Sequence, residues 1–160
     1  MTNKALSVEE ATKKLEYYCS YQDRCYQEVI AKLKTLGMYD TAIDHIIDHL
    51  VTNKFLDEAR FAKSFARGKH KFKYWGKKRI EQELKYRYIS AYNIKNALKE
   101  IEEDYINTFL KIAENKWLSI NEDNLEKKKK KWVDYLYRKG FETSLIFETL
   151  QDFLNRPLSK

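Results

Sequence analysis

Turn-forming residues are scarce in this chain. It has one proline, Pro157, and four glycines in 160 residues. Sheet-rich folds need many tight turns, built mostly from Gly, Pro, Asn and Asp. The shortage argues against such folds and for long helices joined by short connections. Long apolar runs are missing too. None approaches the roughly 18 residues that span a bilayer, and the opening MTNKALSVEE has no stretch of signal-peptide type. The chain is therefore expected to be cytoplasmic. Cysteine is limited to Cys19 and Cys25. Their spacing is neither CxxC nor a zinc-ligand pair, and no second Cys/His pair completes a metal site. Two reduced thiols are expected. Catalytic and nucleotide-binding signatures are also lacking, with no GxxxxGKS/T, GxGxxG or GxSxG. Glu102 and Glu103 lie together at a helix end with no partner base. No enzyme activity, cofactor or metal is expected.

What is present is an apolar fraction of 43%, enough for a packed core, and a net charge of +7. The charge is unevenly spread. Residues 1–59 carry 7 Lys/Arg against 10 Asp/Glu, residues 60–88 carry 11 against 2, and residues 116–139 carry 8 against 4. A positive middle block points to an anionic partner, a nucleic acid or an acidic protein surface.

The strongest signal is self-similarity. Leu33-Lys34-Thr35-Leu36-Gly37-Met38 overlays Leu84-Lys85-Tyr86-Arg87-Tyr88-Ile89, and both overlay Leu136-Tyr137-Arg138-Lys139-Gly140-Phe141. The next segment follows in register. Ile43, Ile46, Ile47 and Leu50 match Ile94, Ala97, Leu98 and Ile101, then Ile146, Thr149, Leu150 and Phe153. This i, i+3, i+4, i+7 spacing is the apolar stripe of an amphipathic helix. The helix before it matches as well, through Val29 and Leu33, Ile80 and Leu84, and Trp132 and Leu136.

A further helix precedes each pair. In the middle copy it is expected over about Glu58–Lys69, with Asp57 as N-cap and Phe61, Ala62, Phe65 and Ala66 buried. In the first copy Ser7-Val8-Glu9-Glu10 reads as a capping box. In the third, Phe109, Ile112 and Ala113 mark a helix over about Asp104–Trp117. Gly37 and Gly140 share a column just after a helix, the left-handed cap position. Tyr88 stands there in the middle copy, so either that turn differs or the tyrosine has a use that offsets its strain. The expected fold is all-α: three tandem three-helix repeats at 5–53, 54–103 and 104–155, with a tail at 156–160. Such units are marginal alone and stabilise one another by stacking. An elongated array, straight or curved, with long exposed surface rather than a deep pocket follows.

The candidate site lies in the basic middle. Lys71-Phe72-Lys73-Tyr74-Trp75-Gly76-Lys77-Lys78-Arg79 alternates cations and aromatics. It reads either as phosphate contacts with bases stacked on rings or as a solvated loop whose Tyr74 or Trp75 staples the next helix. Arg60, Lys63 and Arg67 share one helix face, and Lys77, Lys78, Lys85 and Arg87 extend the field. Lys127–Lys131 is a second basic run, but five consecutive lysines on a helix point all round the axis. His45 and His49, at i and i+4, could hold zinc. Their columns hold Asn96 and Glu148, and Glu100 and Asp152, so they are expected simply to face solvent.

Three segments carry a resemblance. Phe55-Leu56-Asp57-Glu58-Ala59-Arg60-Phe61-Ala62 resembles the LDDxRFA signature of the RecX family. Gly76-Lys77-Lys78-Arg79-Ile80-Glu81-Gln82-Glu83-Leu84 resembles its G…RIxxEL motif, and Tyr135-Leu136-Tyr137-Arg138-Lys139-Gly140-Phe141 its YLxRKGF. The similarity covers roughly residues 8–154. It implies a bacterial cytoplasmic regulator of the recombinase RecA, active in DNA repair and the SOS response. Such a protein binds RecA and RecA–DNA filaments in the filament groove and inhibits strand exchange, ATP hydrolysis and co-protease activity. A monomer that also touches single- or double-stranded DNA is expected. Two other readings fit the same residues: a nucleic-acid-binding helical module with no RecA role, and an adaptor for an acidic protein.

Overall fold

The computed structural model describes residues 6–155; the expected tail at 156–160 and the first residue of the expected first repeat lie outside them. Among the described residues there are nine helices and no strand. Unit 1 comprises α1 (Val8–Tyr21), α2 (Tyr26–Thr35) and α3 (Asp40–Thr52). Unit 2 comprises α4 (Glu58–Lys73), α5 (Lys77–Tyr86) and α6 (Ala91–Lys99). Unit 3 comprises α7 (Tyr105–Ser119), α8 (Leu125–Lys139) and α9 (Thr143–Asn155). None of these helices is long and apolar enough to cross a membrane.

Local chemistry sets the helix starts. Ser7 and Glu10 form a reciprocal capping box, each side chain bonding the other's backbone N–H at 3.1 Å. The Asp57 carboxylate accepts from the Arg60 N–H at 2.9 Å, and the Ser90 hydroxyl oxygen from the Asn93 N–H at 3.2 Å. α4 runs four residues past the expected end at Lys69, because no helix breaker intervenes before Tyr74 turns left-handed at φ 58°. Lys71 and Lys73 are therefore on the last helical turn, where cations complement the negative end of the macrodipole, and not in a loop.

The repeat is clearest where the second helix of each unit ends. Met38, Ile89 and Phe141 each donate a backbone N–H to the carbonyl five residues back, on Leu33, Leu84 and Leu136. All three are buried, which completes a Schellman turn with its apolar contact. The residue before each is left-handed: Gly37 at φ 84°, Tyr88 at 58°, Gly140 at 96°. The middle turn thus has the same conformation as the others. Tyr88 takes the strained backbone although its ring is 81% exposed.

Within the units the predicted columns are buried: Val29 and Leu33, Ile80 and Leu84, Trp132 and Leu136, with Ile46, Ala97 and Thr149 from the third helices. The units are not identical, however. In unit 2 the first and third helices approach closely, and the small buried residues Ala62, Ala66 and Ala97 of these helices leave room for it. In unit 3 the same interval is filled by a cluster of Trp117, Trp132 and Phe153, with ring centroids 5.4–6.0 Å apart. The buried Trp132 indole N–H donates to the Ala113 carbonyl at 2.8 Å. Large rings hold α7 and α9 apart where alanines draw α4 and α6 together.

The core falls into two clusters. One belongs to unit 1 and includes Leu15, Leu33, Ile46 and Leu56. The other runs without a break through units 2 and 3, from Phe61 and Ile80 to Trp132 and Ile146, and takes in Cys25 of unit 1. Both cysteines are free and buried. Burial pushes the Cys19 thiol up to about 11 and raises Cys25 as well, so neither is a reactive thiolate at neutral pH.

Candidate functional site

The ten cations expected to form the site separate into two groups. Four are engaged with carboxylates. Arg60 meets Asp23 at 2.7 Å and also donates to the Lys54 and Phe55 carbonyls, each at 3.1 Å. Arg67 pairs with Glu100 at 2.6 Å, Lys85 with Glu81 at 2.9 Å and Arg87 with Glu83 at 2.9 Å. Arg87 also lies 4.8 Å from the centre of the Phe65 ring. The first two pairs link distant segments and the last two run along α5, and together they leave little charge unanswered. The other six, Lys63, Lys71, Lys73, Lys77, Lys78 and Arg79, have no carboxylate partner among the described residues.

Most of that second group gathers where unit 2 meets unit 3, and glycine explains why. Gly76, the residue before α5, has no side chain to cap the helix. Its backbone packs directly on Gly140 at the end of α8: a Cβ on Gly76 would lie 2.4 Å from the Gly140 carbonyl oxygen. The Gly76 N–H donates to the Lys139 carbonyl at 2.7 Å and the Lys78 N–H to the Gly140 carbonyl at 2.9 Å. The Lys77 N–H goes to the Tyr105 hydroxyl oxygen at 2.9 Å. The orphan donors of one helix start are thus satisfied by the orphan acceptors of another helix end, with the two macrodipoles head to tail. Tyr105 is buried. Its O–H donates to Glu142 at 2.5 Å, and burial together with that bond holds the phenol well above its usual range.

This joint brings two further cations, Arg138 and Lys139, to Lys73, Lys78 and Arg79. The Arg79 guanidinium stacks 4.1 Å from the centre of the Trp75 ring and donates to the Arg138 carbonyl at 3.2 Å. The Lys139 ammonium donates to the Lys73 carbonyl at 3.1 Å. Partial burial and the nearby Arg79 and Lys73 charges push Lys139 below the usual lysine range. Like charges held this close are a standing cost, relieved by an anion. Beside them lies an open cleft of about 710 Å³ lined by Lys78, Arg79, Arg138, Tyr86 and Tyr137. The two tyrosine rings are exposed. Trp75 is half-buried against the core, with Phe65 at 6.1 Å, while Tyr74 remains exposed.

Sequence reasoning missed Arg138 and Lys139 as site residues. They fall in the repeated cap and in the YLxRKGF segment, and neither pattern says which unit faces they meet. The Lys127–Lys131 run behaves as its helical spacing requires. Lys129, Lys130 and Lys131 pair with Glu126, Asp134 and Glu122, and Lys128 lies over Trp117 at 4.4 Å. The expectation that the His49 column faces solvent holds at Glu100 and Asp152 and needs correction at His49. His49 is half-buried, with Nε2 2.8 Å from Glu16 of α1 and Nδ1 3.2 Å from the Asn53 amide. His45 is exposed.

Comparison with known proteins places this architecture. Residues 57–98 match the family model described as RecX, second three-helix domain, and residues 102–150 match RecX, third three-helix domain. The regulatory protein RecX of Vibrio campbellii is 31% identical over 141 residues, 88% of this chain and 88% of that protein. That of Prosthecochloris aestuarii is 28% identical over 137 residues, covering 86% and 89%. That of Bacillus licheniformis is 30% identical over 146 residues, but this chain spans only 56% of it. A crystal structure of RecX from Lactobacillus salivarius superposes with a TM-score of 0.78, covering 91% of this chain and 95% of that one at 24% identity. Two matched three-helix domains, a relative above 30% identity along nearly its whole length and the same fold in solved structures lead to one conclusion: the chain belongs to the RecX family of regulatory proteins.

Proposed function

We propose that this protein regulates RecA by lying along the RecA–DNA filament groove and inhibiting recombinase, ATPase and co-protease activity. The reading rests on the family resemblance and on one observation, the cluster of Lys73, Lys78, Arg79, Arg138 and Lys139 at the joint between units 2 and 3. Backbone hydrogen bonds between helix ends fix the positions from which these side chains spring, and Arg79 and Lys139 are held further by their bonds to the Arg138 and Lys73 carbonyls, which lowers the entropy lost on binding. It would meet phosphates or acidic side chains in the groove of a cytoplasmic filament. The protein would act by occupancy, without chemistry of its own.

Reversing Lys73, Lys78 and Arg138 to Glu changes the local charge by six units and leaves Gly76, Gly140 and Tyr105 in place. The triple variant is expected to remain helical by circular dichroism and to lose inhibition of RecA-driven ATP hydrolysis and strand exchange. Wild-type affinity for the filament should fall with salt. Neutralising four phosphates on a single strand gives a log–log slope of about −3, and the variant's slope should be shallower. The control reversal at Lys127, Lys128 and Lys129 should inhibit nearly as well as wild type. Equal inhibition by both variants would remove the joint cluster from the mechanism. Loss of DNA binding with no effect of either protein on RecA would favour a nucleic-acid module without a RecA role.

A further inference from the structure

The first 59 residues are acidic in sum, and that sum conceals where their cations sit. Four of the seven Lys/Arg in this stretch, Lys13, Lys14, Arg24 and Lys32, line one cleft between α1 and α2. No carboxylate lines it. Its volume is about 560 Å³, within the roughly 300–1,000 Å³ usual for ligand sites. Arg24 meets Glu28 at 3.6 Å. Lys13, Lys14 and Lys32 have no carboxylate partner among the described residues, and all three are exposed.

The rest of the lining is chiefly tyrosine. Tyr18 is half-buried, with the Arg24 guanidinium 3.7 Å and the Lys32 ammonium 5.7 Å from its ring centre. Its face is already occupied, and it serves as floor. Tyr17 and Tyr21 are different. They stand one helical turn apart on α1, and their exposures are 72% and 73%. A single exposed tyrosine is ordinary. Two parallel positions on a helix face, beside three lysines free of ion pairs among the described residues in a cleft that no carboxylate lines, form an arrangement suited to one ligand.

We propose that this cleft binds single-stranded nucleic acid, with bases stacked on Tyr17 and Tyr21 and phosphates met by Lys13, Lys14 and Lys32. Rings and cations together are what such strands require, because stacking is blind to sequence and the backbone is a polyanion. A duplex keeps its bases stacked inside and would leave both rings unused. An acidic peptide would answer the lysines and again leave the rings in water. The site is separate from the joint cluster, so the inference does not depend on that cluster's role or on RecA.

The test uses the full chain and three probes: a single-stranded oligothymidine, a duplex of equal length and polyglutamate. Tyr17→Ala/Tyr21→Ala alters only exposed rings, and circular dichroism verifies the fold. Loss of two stacked bases should weaken oligothymidine binding at least about thirtyfold. Tyr17→Phe/Tyr21→Phe should restore it, and duplex binding should stay within about twofold of wild type. A 5-iodouracil strand should photocrosslink to the tryptic peptide Leu15–Arg24, and should still do so after charge reversal at Lys73, Lys78 and Arg138. That last arm separates failure of this site from failure of the joint cluster. Unchanged oligothymidine binding by the alanine pair, with crosslinks elsewhere, overturns the proposal. So does an equal loss for oligothymidine, duplex and polyglutamate, which would mark a surface for any polyanion.

Discussion

Units 2 and 3 share one apolar cluster, and their joint is closed by backbone hydrogen bonds between the start of α5 and the end of α8. Units 1 and 2 meet differently. Their cores are separate apart from Cys25, which reaches into the second cluster, and Phe55 and Leu56, which open the second repeat yet pack in the first cluster. Polar contacts cross that joint as well: the Asp23–Arg60 pair at 2.7 Å and a bond from the Gln27 amide to the Tyr86 carbonyl at 3.3 Å. A shared core couples two units' unfolding, whereas polar contacts at a half-exposed edge couple it weakly. One chain therefore holds a stiff pair that carries the joint cluster and a first unit able to open on its own. The tyrosine cleft rides on that more independent unit.

The comparison is most exposed at Gly76. An alanine there places its Cβ 2.4 Å from a backbone carbonyl oxygen that cannot move without parting α5 from α8. Gly76→Ala is expected to destabilise units 2 and 3 by roughly 3 kcal/mol, read by urea denaturation. Gly68→Ala is the control. Its Cβ meets open space inside α4, so it should stabilise by about 1 kcal/mol through helix propensity. A neutral Gly76→Ala would mean that the joint is not closed as described.

Tyr105→Phe tests the polar half of the same joint. The ring keeps its stacking on His70 at 5.3 Å and its tilted contact with Phe141 at 5.7 Å. The hydroxyl is lost, leaving the Lys77 N–H and Glu142 without their partner. A loss of roughly 2 kcal/mol is expected for stranded, partly buried polar groups. A loss below about 0.5 kcal/mol would assign the joint's stability to its apolar contacts alone.

The helices, the unit repeat and most core columns were legible in the sequence because they depend on local periodicity, and Val29, Ile80 and Trp132 are buried as their shared column requires. The joints were not legible. Gly76 and Gly140 looked like independent turn residues, and only the fold brings them together. The same distance along the chain hid the carboxylates that neutralise Arg60 and Arg67, which stand 37 and 33 residues away. Averaging over 59 residues hid the cation-lined cleft of unit 1. Tyr88 was legible as an anomaly, and its left-handed backbone with an exposed ring leaves the strain uncompensated within the chain. Tyr88→Gly should therefore stabilise the α5–α6 turn by about 1 kcal/mol. If stability instead falls, the ring has a packing role in unit 2 that its exposure conceals.

The smallest expected effect addresses the looser joint. Asp23→Ala removes an ion pair whose arginine side chain is 41% exposed, and such pairs contribute about 0.5–1 kcal/mol. Arg60 keeps its bonds to the Lys54 and Phe55 carbonyls, so global stability should barely move. Local opening should respond. Cys25 is 1% exposed and belongs to the cluster of units 2 and 3, while Cys19 is 4% exposed inside unit 1. Separating units 1 and 2 uncovers the first thiol and not the second. With a thiol reagent at neutral pH, modification of Cys25 should accelerate about twofold to fivefold in Asp23→Ala, the fold-change that corresponds to such a pair, with Cys19 unchanged. If both thiols accelerate together, unit 1 opens only with the rest of the molecule. The two joints would then differ in composition but not in strength, and the independence assigned to the first unit would be withdrawn.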